Sequence, residues 1–596
     1  MKSRRRLVVL VLLTASAFVT LLGQLWYLQV VGGERLRELS ERNRTRVRAL
    51  PAPRGILYDR RGLPLVENRP TFTLSVIPRE LENREAVLAR LASLLKIPLE
   101  ELAERLEGTP QDSSWPVRVR RNLSPEEVAR IEEWRLALPG VVVEAEPQRL
   151  YQDGRFAAHL LGYIREASAE HLRERRLRPG DLVGQSGLER LLDDVLRGQD
   201  GGEEFEVDAQ GHQVQVLRRQ EPTSGANVIT TIDKRIQEVA ERAMAEKTGA
   251  VVVLDPRSGD LLALVSTPAF NLDSFTGSLD RESWLRLIRD PATPLLNRVF
   301  QGEYAPGSLF KLVVAAAALQ EGLFTPFDRL PCPESLEIGR SRFRNWEKVD
   351  EGAMTLYEAL IHSCNTFFYQ LGLKVGIERM VHYARAFGFG SPVGIAFPGE
   401  RAGFVPTPEW KRTAARSRWF PGDTANTAIG QGRLLATPLQ VARFMAALAT
   451  DGILWKPRLV NRVQDHADRT LRAEPPQITG RVELSPLVFQ FLRRALSGVV
   501  NDGGTGQAAR LADVEVGGKT ATSQNTPGRS GRGGDHAWFV ATAPVESPEV
   551  VVVVLVEHGG MGGQVAAPLA GQILRGIFLE KSAGLNDGAL GAGRRS

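Results

Sequence analysis

Cysteine is nearly absent from this sequence. Its 596 residues include only Cys332 and Cys364. Two thiols cannot form the multiple-disulfide framework of small secreted domains, and they supply at most half of a four-thiolate zinc site. The histidines are few and scattered, so the sequence predicts no metal and no other cofactor. The fold must therefore be stabilised by hydrophobic cores.

An excess of charge of one sign is also absent. Lysine and arginine total 76 against 70 acidic residues, a formal net charge of +6. This small imbalance gives no basis for nucleic-acid binding. Hydrophobic residues make up 43%, charged residues 24% and aromatic residues 7%. That composition is typical of globular proteins and excludes a collagen-like, coiled-coil or mainly disordered chain.

Long apolar runs are limited to one, at residues 7–31, directly after a basic segment at 1–6. As a helix it would be about 37 Å long, enough to cross a hydrocarbon core of ~30 Å. A cleaved signal peptide, with small residues at Ala15 and Ala17, is the alternative. The run continues past that site to Trp26, which favours an uncleaved transmembrane helix. We predict a cytoplasmic N-terminus at the bacterial inner membrane and an exported, periplasmic bulk.

The exported part contains two regions of different character. Residues 32–226 are rich in Arg and Glu and predict an elongated, non-catalytic region, called the pedestal below. Residues 227–580 begin with two β-prone runs and end with three, with helices between them, including 309–320 and 356–372. This order predicts an α+β domain with an antiparallel five-stranded sheet flanked by helices, plus a helical subdomain. Residues 581–596 are rich in Gly and Ala and predict a disordered tail.

Three short motifs indicate chemistry: Ser308-Leu309-Phe310-Lys311, Ser363-Cys364-Asn365 and Lys519-Thr520-Ala521-Thr522. Alone, Ser-x-x-Lys is as typical of a helix cap followed by a surface lysine. Here a Pro-Gly pair precedes Ser308 and an apolar run follows Lys311, which places the two side chains on one face of a helix start. A buried lysine near positive charge has a lowered pKa and can accept the serine proton.

These motifs, in this order, resemble the Ser-x-x-Lys, Ser-Asp-Asn and Lys-Thr-Gly set of β-lactamases and penicillin-binding proteins. From the anchor to about residue 575 the chain resembles the class B penicillin-binding proteins, the membrane-anchored peptidoglycan transpeptidases. The segments that carry the resemblance are Pro53-Arg54-Gly55 with Asp59-Arg60-Arg61-Gly62, Ala158-His159-Leu160-Leu161-Gly162-Tyr163, Gly184-Gln185-Ser186-Gly187-Leu188-Glu189, Asn297-Arg298, Tyr304-Ala305-Pro306-Gly307-Ser308, Gly430-Gln431-Gly432 with Thr437-Pro438, and His536-Ala537-Trp538-Phe539.

Within that family, three segments resemble the elongation type, penicillin-binding protein 2, more than the division type. They are Asn68-Arg69-Pro70, Arg344-Asn345-Trp346 and Thr366-Phe367-Phe368-Tyr369-Gln370. The resemblance therefore implies a role in cell-wall elongation and cell shape.

The resemblance also implies a mechanism on peptidoglycan stem peptides. Ser308 would attack the carbonyl between the two terminal D-Ala residues, with Lys311 as proton acceptor. Ser363 would relay a proton to the leaving amine, and Asn365 would hold the substrate amide and Lys311. An amine of a neighbouring stem peptide would then resolve the acyl-enzyme, and β-lactams would acylate Ser308.

The substrate's terminal carboxylate would be bound by Lys519, Thr520 and Thr522. Backbone N–H groups of Ser308 and Thr522 would form the oxyanion hole. Ala521 departs from the family's usual Gly, and we expect its Cβ to take space beside the substrate without abolishing activity. Cys364 is expected to be a small packed side chain, with a reactive thiol as the alternative.

Other functions remain open at this point. One alternative is a non-catalytic scaffold that activates a membrane glycosyltransferase; a less favoured one is a β-lactam sensor or β-lactamase. The resemblance implies a polytopic partner of the shape, elongation, division and sporulation family (RodA-like), bound through the transmembrane helix and pedestal.

Overall fold

The computed structural model describes residues 2–34, 45–81, 83–106, 110–111, 113, 116–175, 177, 180–207, 213–276, 281–524 and 534–591. The chain divides into two compact units. The N-terminal unit comprises Met1–Arg54, Pro70–Gln148 and Arg197–Gly225, and the C-terminal unit comprises Gly55–Arg69, Arg149–Leu196 and Ala226–Ser596. Two segments of the predicted pedestal, 55–69 and 149–196, thus pack with the C-terminal unit.

A five-stranded antiparallel sheet forms the centre of the C-terminal unit. Its strands are β1 (Gly249–Asp255), β2 (Asp260–Thr267), β3 (Gly517–Ser523), β4 (His536–Ala543) and β5 (Val550–Val556). Their order across the sheet is β2-β1-β5-β4-β3. The prediction that both ends of the domain contribute to one sheet is confirmed, and β3 is an edge strand.

Alternate residues of each strand enter two different cores. In β1, Val252 and Leu254 belong to a large core shared with the helices, whereas Val251 and Val253 belong to a smaller core on the other face. Because successive side chains of a strand point to opposite faces, a sheet covered on both sides requires apolar residues throughout. This explains the unbroken apolar sequence of β5.

The helical half packs on one face of the sheet. All residues from Lys311 to Ala318 in the helix Lys311–Gln320 are buried, as expected for a helix that is apolar on every side. The prediction of one helix over 356–372 is wrong: two helices, Leu356–Ile361 and Asn365–Val375, are separated by a sharp turn. Ser363 in that turn has a left-handed φ of 57°, which an α-helix cannot contain.

The opposite face of the sheet is covered by the helices Lys234–Met244 and Ala566–Gly591. The first begins at Asp233, whose carboxylate accepts the Arg235 and Ile236 N–H groups. The last helix continues beyond 580 to Gly591, where the sequence predicted a disordered tail. The rest of that tail, 592–596, lies outside the described residues.

The N-terminal unit begins with the α-helix Lys2–Trp26, which continues as a π-helix over Tyr27–Val31. The stretch Arg6–Val31 is long and apolar enough to cross a membrane, in agreement with the predicted span 7–31. Further along, Thr45–Leu50, Gly201–Val207 and Gln213–Gln220 form an antiparallel sheet. A third core lies among the helices Arg84–Leu95 and Leu99–Arg105 and their neighbours.

The remaining strands are Leu57–Tyr58, Pro64–Val76, Val117–Leu123, Val141–Tyr151, Ile164–Glu166, Leu182–Gly184, Asn227–Thr230, Arg329–Pro331, Ser335–Ile338, Ser341–Arg344, Ala353–Thr355, Ile453–Trp455, Val460–Gln464, Thr470–Ala473 and Ile478–Arg481. The remaining helices are Pro78–Glu80, Pro125–Glu133, Arg135–Ala137, Ala158–Leu161, Ala169–Arg175, Gly187–Leu191, Asp193–Leu196, Asp273–Thr276, Arg281–Arg289, Gly307–Phe310, Ile377–Ala386, Pro408–Thr413, Pro421–Ala428, Pro438–Ala449, Pro486–Asn501 and Gln507–Ala509.

Candidate active site

Ser308 lies in the 3-10 turn Gly307–Phe310, directly before the buried helix that Lys311 begins. Gly307 has a φ of 55°, and a Cβ there would lie 3.0 Å from the Thr522 carbonyl oxygen. Only glycine combines that backbone conformation with so close an approach. The turn therefore holds Ser308, which is half-buried, against the edge of β3.

The Lys311 side chain is fully buried and points to the Ser-x-Asn motif. Its Nζ lies 2.6 Å from the Ser363 carbonyl oxygen, 3.2 Å from Ser363 Oγ and 2.7 Å from Asn365 Oδ1. Among the described residues no hydrogen bond joins Lys311 to Ser308. The first two sequence motifs are thus brought together through Ser363 and Asn365.

The Lys519 side chain, also fully buried, reaches the same hydroxyl from β3. Its Nζ lies 2.9 Å from Ser363 Oγ and 3.2 Å from the Thr520 carbonyl oxygen. Burial lowers the pKa of Lys519 to about 7. Burial, and then the positive charge of Lys519, lower the pKa of Lys311 well below its ordinary value. A neutral lysine can therefore exist here near neutral pH and accept a proton.

The two threonines of the third motif have separate partners. Thr520 Oγ1 lies 2.5 Å from Thr505 Oγ1, and Thr522 Oγ1 accepts a 3.4 Å hydrogen bond from the Gly562 N–H. β3 lies at the edge of its sheet, and an edge strand can pair with an extended peptide. Thr505 and Gly562 were not identified from the sequence, and neither stands in a motif that singles it out.

A short segment after the helix Pro421–Ala428 connects the serine turn to β3. The Gly430 carbonyl accepts a 3.0 Å hydrogen bond from the Gly307 N–H. The Gln431 side-chain amide donates a 3.0 Å hydrogen bond to the Thr522 carbonyl. The Gly-Gln-Gly motif noted in the sequence thus has a structural role beside the predicted oxyanion hole.

Ala521 lies on the same face of β3 as Lys519, because alternate residues of a strand share a face. It is 3% exposed and belongs to the large core. A Cβ added to Gly307 would lie 3.3 Å from the Ala521 Cβ, so the methyl group faces the serine turn. The methyl group thus takes space beside the turn that carries Ser308, and its effect on substrate binding stays a prediction.

The strained turn at Ser363 is held from both sides by a neighbouring segment. The Trp346 indole N–H donates a 3.1 Å hydrogen bond to the His362 carbonyl. The Asn345 Oδ1 accepts a 2.8 Å hydrogen bond from the Asn365 N–H, and its Nδ2 donates one of 2.9 Å to Glu351. A left-handed non-glycine residue persists only where surrounding contacts restrain it. From the sequence, Asn345 and Trp346 are identified only as part of a segment that resembles the elongation type, and their support of this turn is not predicted.

Cys332 and Cys364 form a disulfide across a sequence separation of 32 residues. This corrects the expectation of a small packed or reactive thiol at Cys364, because only the fold brings the two residues together. The Glu351 carboxylate lies beside both sulfur atoms. If the disulfide were reduced, two thiolates and this carboxylate would be a donor set of the kind that zinc uses, so the absence of a metal site stays a prediction.

The backbone leading to Ser308 is anchored by an ion pair between a buried arginine and a partly buried glutamate. Arg298 Nε lies 2.9 Å from Glu557 Oε1, and the Tyr304 hydroxyl donates a 2.7 Å hydrogen bond to the same oxygen. Burial alone would raise the pKa of Glu557, but hydrogen bonds from Arg298 and Tyr304 outweigh it and lower that pKa. These contacts join the serine turn to the end of β5.

A half-buried serine at a helix start, two buried lysines sharing a second serine hydroxyl, and an adjacent edge strand define a serine acyl-transfer site of the penicillin-recognising type. The chain belongs to the penicillin-binding protein transpeptidase family. Residues 249–575 match the penicillin binding protein transpeptidase domain, and residues 49–230 match the penicillin-binding protein dimerisation domain.

Named relatives agree with the class B, elongation-type resemblance. The peptidoglycan D,D-transpeptidase MrdA of Acinetobacter baumannii is 33% identical over 91% of this chain and 83% of its own length. MrdA of Escherichia coli K12 is 31% identical over 94% of this chain and 91% of its own. The PBP2 of a Helicobacter pylori PBP2–MreC complex superposes with a TM-score of 0.78 at 28% identity, covering 90% of this chain and 99% of that one.

A second solved relative belongs to a peptidoglycan synthase complex that coordinates polymerization and crosslinking. It matches with a TM-score of 0.70 at 32% identity, and the alignment covers 96% of this chain and 98% of that one. The resemblance predicted from the motifs is thereby confirmed over nearly the whole chain.

Proposed function

We propose that this chain is a peptidoglycan D,D-transpeptidase that cross-links stem peptides through an acyl-enzyme on Ser308 during cell-wall elongation. The observation that carries the proposal is the buried network in which Lys311 and Lys519 share the Ser363 hydroxyl. Lys311 follows Ser308 by one helical turn. The names of the relatives support the same activity.

In the first half-reaction, Ser308 Oγ attacks the carbonyl carbon between the two terminal D-Ala residues. Its proton passes to neutral Lys311 as the C–O bond forms, and the resulting tetrahedral oxyanion then collapses with cleavage of the C–N bond. Ser363 returns the proton to the leaving D-Ala amine. Backbone N–H groups of Ser308 and Thr522 stabilise the oxyanion, a contribution of about 3 to 4 kcal/mol per donor in other acyl-transfer enzymes.

Substrate binding falls to β3 and to the Ser-x-Asn motif. Lys519, Thr520 and Thr522 bind the terminal carboxylate through charge and hydroxyl donors. Asn365 holds the substrate amide and, at 2.7 Å, Lys311. In the second half-reaction an amine of a neighbouring stem attacks the ester, and β-lactams acylate Ser308 by the same route.

The N-terminal helix supports a single-pass anchor with the N-terminus in the cytoplasm and the enzymatic unit in the periplasm. We infer a polytopic glycosyltransferase partner (RodA-like), bound through this helix and the pedestal. One solved relative lies in a peptidoglycan synthase complex and another is bound to MreC, which supports assembly with other cell-wall proteins. Co-purification of the full chain with and without residues 1–31 tests this proposal.

The decisive experiment is intact and peptide mass spectrometry of the protein after incubation with a penicillin. We expect a stable adduct on the peptide that contains Ser308, absent from Ser308→Ala and retained by Ser391→Ala, a control at an exposed serine. Rapid turnover of the drug without an adduct would indicate a β-lactamase. No reaction in folded protein would indicate the scaffold role instead.

Catalysis and partner activation can be separated with the same variant. We expect Ser308→Ala to lose cross-linking whatever its effect on a partner glycosyltransferase. If polymerisation by the partner persists with Ser308→Ala while cross-links disappear, the chain has both functions. Retention of both activities by Ser308→Ala would refute the catalytic proposal.

A further inference from the structure

A basic surface lies on the helix Pro408–Thr413 and the segments that follow it. Its four arginines are Arg412, Arg416, Arg418 and Arg433, all exposed. Within the described part of the chain none of them forms an ion pair with a carboxylate. The nearby Asp423 is already occupied, because it pairs with Lys411 at 2.5 Å and accepts the Phe420 N–H at 2.8 Å. Glu409 also lines this surface, so the four arginines outnumber the carboxylates beside them and the surface carries a net positive charge.

Two adjoining hollows lie among these side chains. A cavity of about 350 Å³ is lined by Trp410, Trp419 and Arg433, among others, and an open groove of about 710 Å³ is lined by Trp419, Arg412 and Arg416, among others. Both volumes are in the range of ligand sites, ~300 to 1,000 Å³. Trp419 forms a wall of both, and its indole N–H is held by Thr424 Oγ1 at 2.8 Å.

The smaller cavity adjoins the segment that positions the serine turn. Asn426, Thr427 and Gly432 line it. The Thr427 carbonyl accepts the Gly430 N–H at 2.9 Å, and Gly430 in turn accepts the Gly307 N–H at 3.0 Å. The wall of the cavity and the turn that carries Ser308 are thus parts of one hydrogen-bonded unit.

We propose that this surface binds the acyl acceptor, a stem peptide of a neighbouring peptidoglycan strand, through its carboxylates. The inference rests on the proposed transpeptidase function. The donor remains covalently attached to Ser308 while the acceptor arrives, so the acceptor needs a separate site. Arginine forks bind carboxylates in a bidentate manner, and the indole rings offer apolar walls to the rest of the peptide.

The bound acceptor then completes the reaction. Its amine nitrogen attacks the ester carbonyl, a C–N bond forms, and the bond between that carbonyl and Ser308 Oγ breaks. Lys311 takes the amine proton and passes it to the serine oxygen. Binding at the arginine surface holds the peptide during this step, and the chemistry stays with the groups around Ser308.

The test uses the full-length protein with Ser308 blocked by penicillin. The probe is a stem tetrapeptide with free carboxylates, which lacks the D-Ala–D-Ala bond and cannot act as a donor. We expect it to quench tryptophan fluorescence on binding, and we expect Arg416→Gln/Arg433→Gln to weaken this binding about tenfold or more. Arg385→Gln, at an exposed arginine of another helix, is the matched control and should bind as the wild type does.

A second measurement is the cross-linking rate at several acceptor concentrations. We expect the double variant to raise KM for the acceptor much more than it lowers kcat. Equal binding by the double variant and the wild type, or equal binding of a tetrapeptide with amidated carboxylates, would overturn the acceptor site. Failure of penicillin to acylate Ser308 at all would instead refute the proposed function, so the two failures are distinguishable.

Discussion

Lys519 Nζ lies 2.9 Å from Ser363 Oγ, and Nζ of Lys311, in the Ser-x-x-Lys motif, lies 3.2 Å from the same oxygen. Two ammonium groups this close in a buried site repel each other, so the protonated form of one disfavours that of the other. Because Lys311 also experiences the charge of Lys519, we infer that Lys311 loses its proton first. This pair determines how the activity depends on pH.

The first prediction concerns that pH dependence. kcat/KM for acylation by a penicillin should rise as Lys311 becomes neutral and fall above about 7, where Lys519 loses the charge that binds the carboxylate. In Lys519→Gln, the acidic limb of the pH profile of the residual acylation rate should lie at higher pH than in the wild type, because removing a positive charge raises the pKa of Lys311. Acylation rates with a fluorescent penicillin would measure this; an acidic limb that does not move would contradict the coupling.

The second prediction concerns the support of the Ser-x-Asn turn. Asn345→Ala removes the acceptor of the Asn365 N–H and the donor to Glu351. We expect acylation to slow about tenfold, as for the loss of one buried hydrogen bond at a positioned group. The pH profile should change as well, because Asn365 contacts Lys311. Asn461→Ala, at an asparagine outside this cluster, is the control. If Asn345→Ala changed only the thermal stability, the role of Asn345 would be purely structural.

The third prediction concerns Ala521. Ala521→Gly should destabilise the protein by about 1 to 2 kcal/mol, through loss of a buried methyl group and greater freedom of the unfolded chain. Acylation should hardly change, because the methyl group faces Gly307. Ala521→Val should slow acylation by displacing the serine turn. Ala541→Val adds volume to the other core and serves as the control for general overpacking. If Ala521→Gly were acylated faster than the wild type, the Ala521 methyl group would be shown to obstruct the cleft.

The fourth prediction concerns the disulfide. Denatured protein should resist alkylation until a reductant is added, after which Cys332 and Cys364 should both be labelled. Cys332→Ala/Cys364→Ala should lower the free energy of unfolding by about 3 to 4 kcal/mol, the loop-closure value for a separation of 32 residues. Two free thiols in protein purified without reductant would contradict the bridge.

The fifth prediction concerns the ion pair behind the serine turn. Glu557→Ala leaves the Arg298 charge buried without its partner and should cost about 3 to 5 kcal/mol in denaturant unfolding. Because the pKa of Glu557 is lowered in the folded state, its contribution is complete above the ordinary value of 4.5 and is lost as pH falls through the folded value. Glu483→Ala, at an exposed glutamate, should change little at any pH.

Much of this molecule follows from local patterns. The apolar stretch 7–31, the strand pattern of Val550–Val556 and the run after Lys311 depend on side chains near one another in sequence, so the sequence predicts these elements well. The three motifs also identified the residues that meet around Ser363. The motifs identified these residues because the spacing and order of the motifs are distinctive. The distances between the side chains could not be predicted from the motifs.

The sequence by itself determined the long apolar helix near the N-terminus, the α+β class and the residues proposed for the site. Tertiary structure alone decided that the helix over 356–372 breaks at Ser363, that Cys332 bonds to Cys364, and that Ala521 faces the serine turn. Each of these depends on contacts between segments far apart in the chain. Local propensity carries no information about such contacts, and packing and hydrogen bonding in the folded core override it.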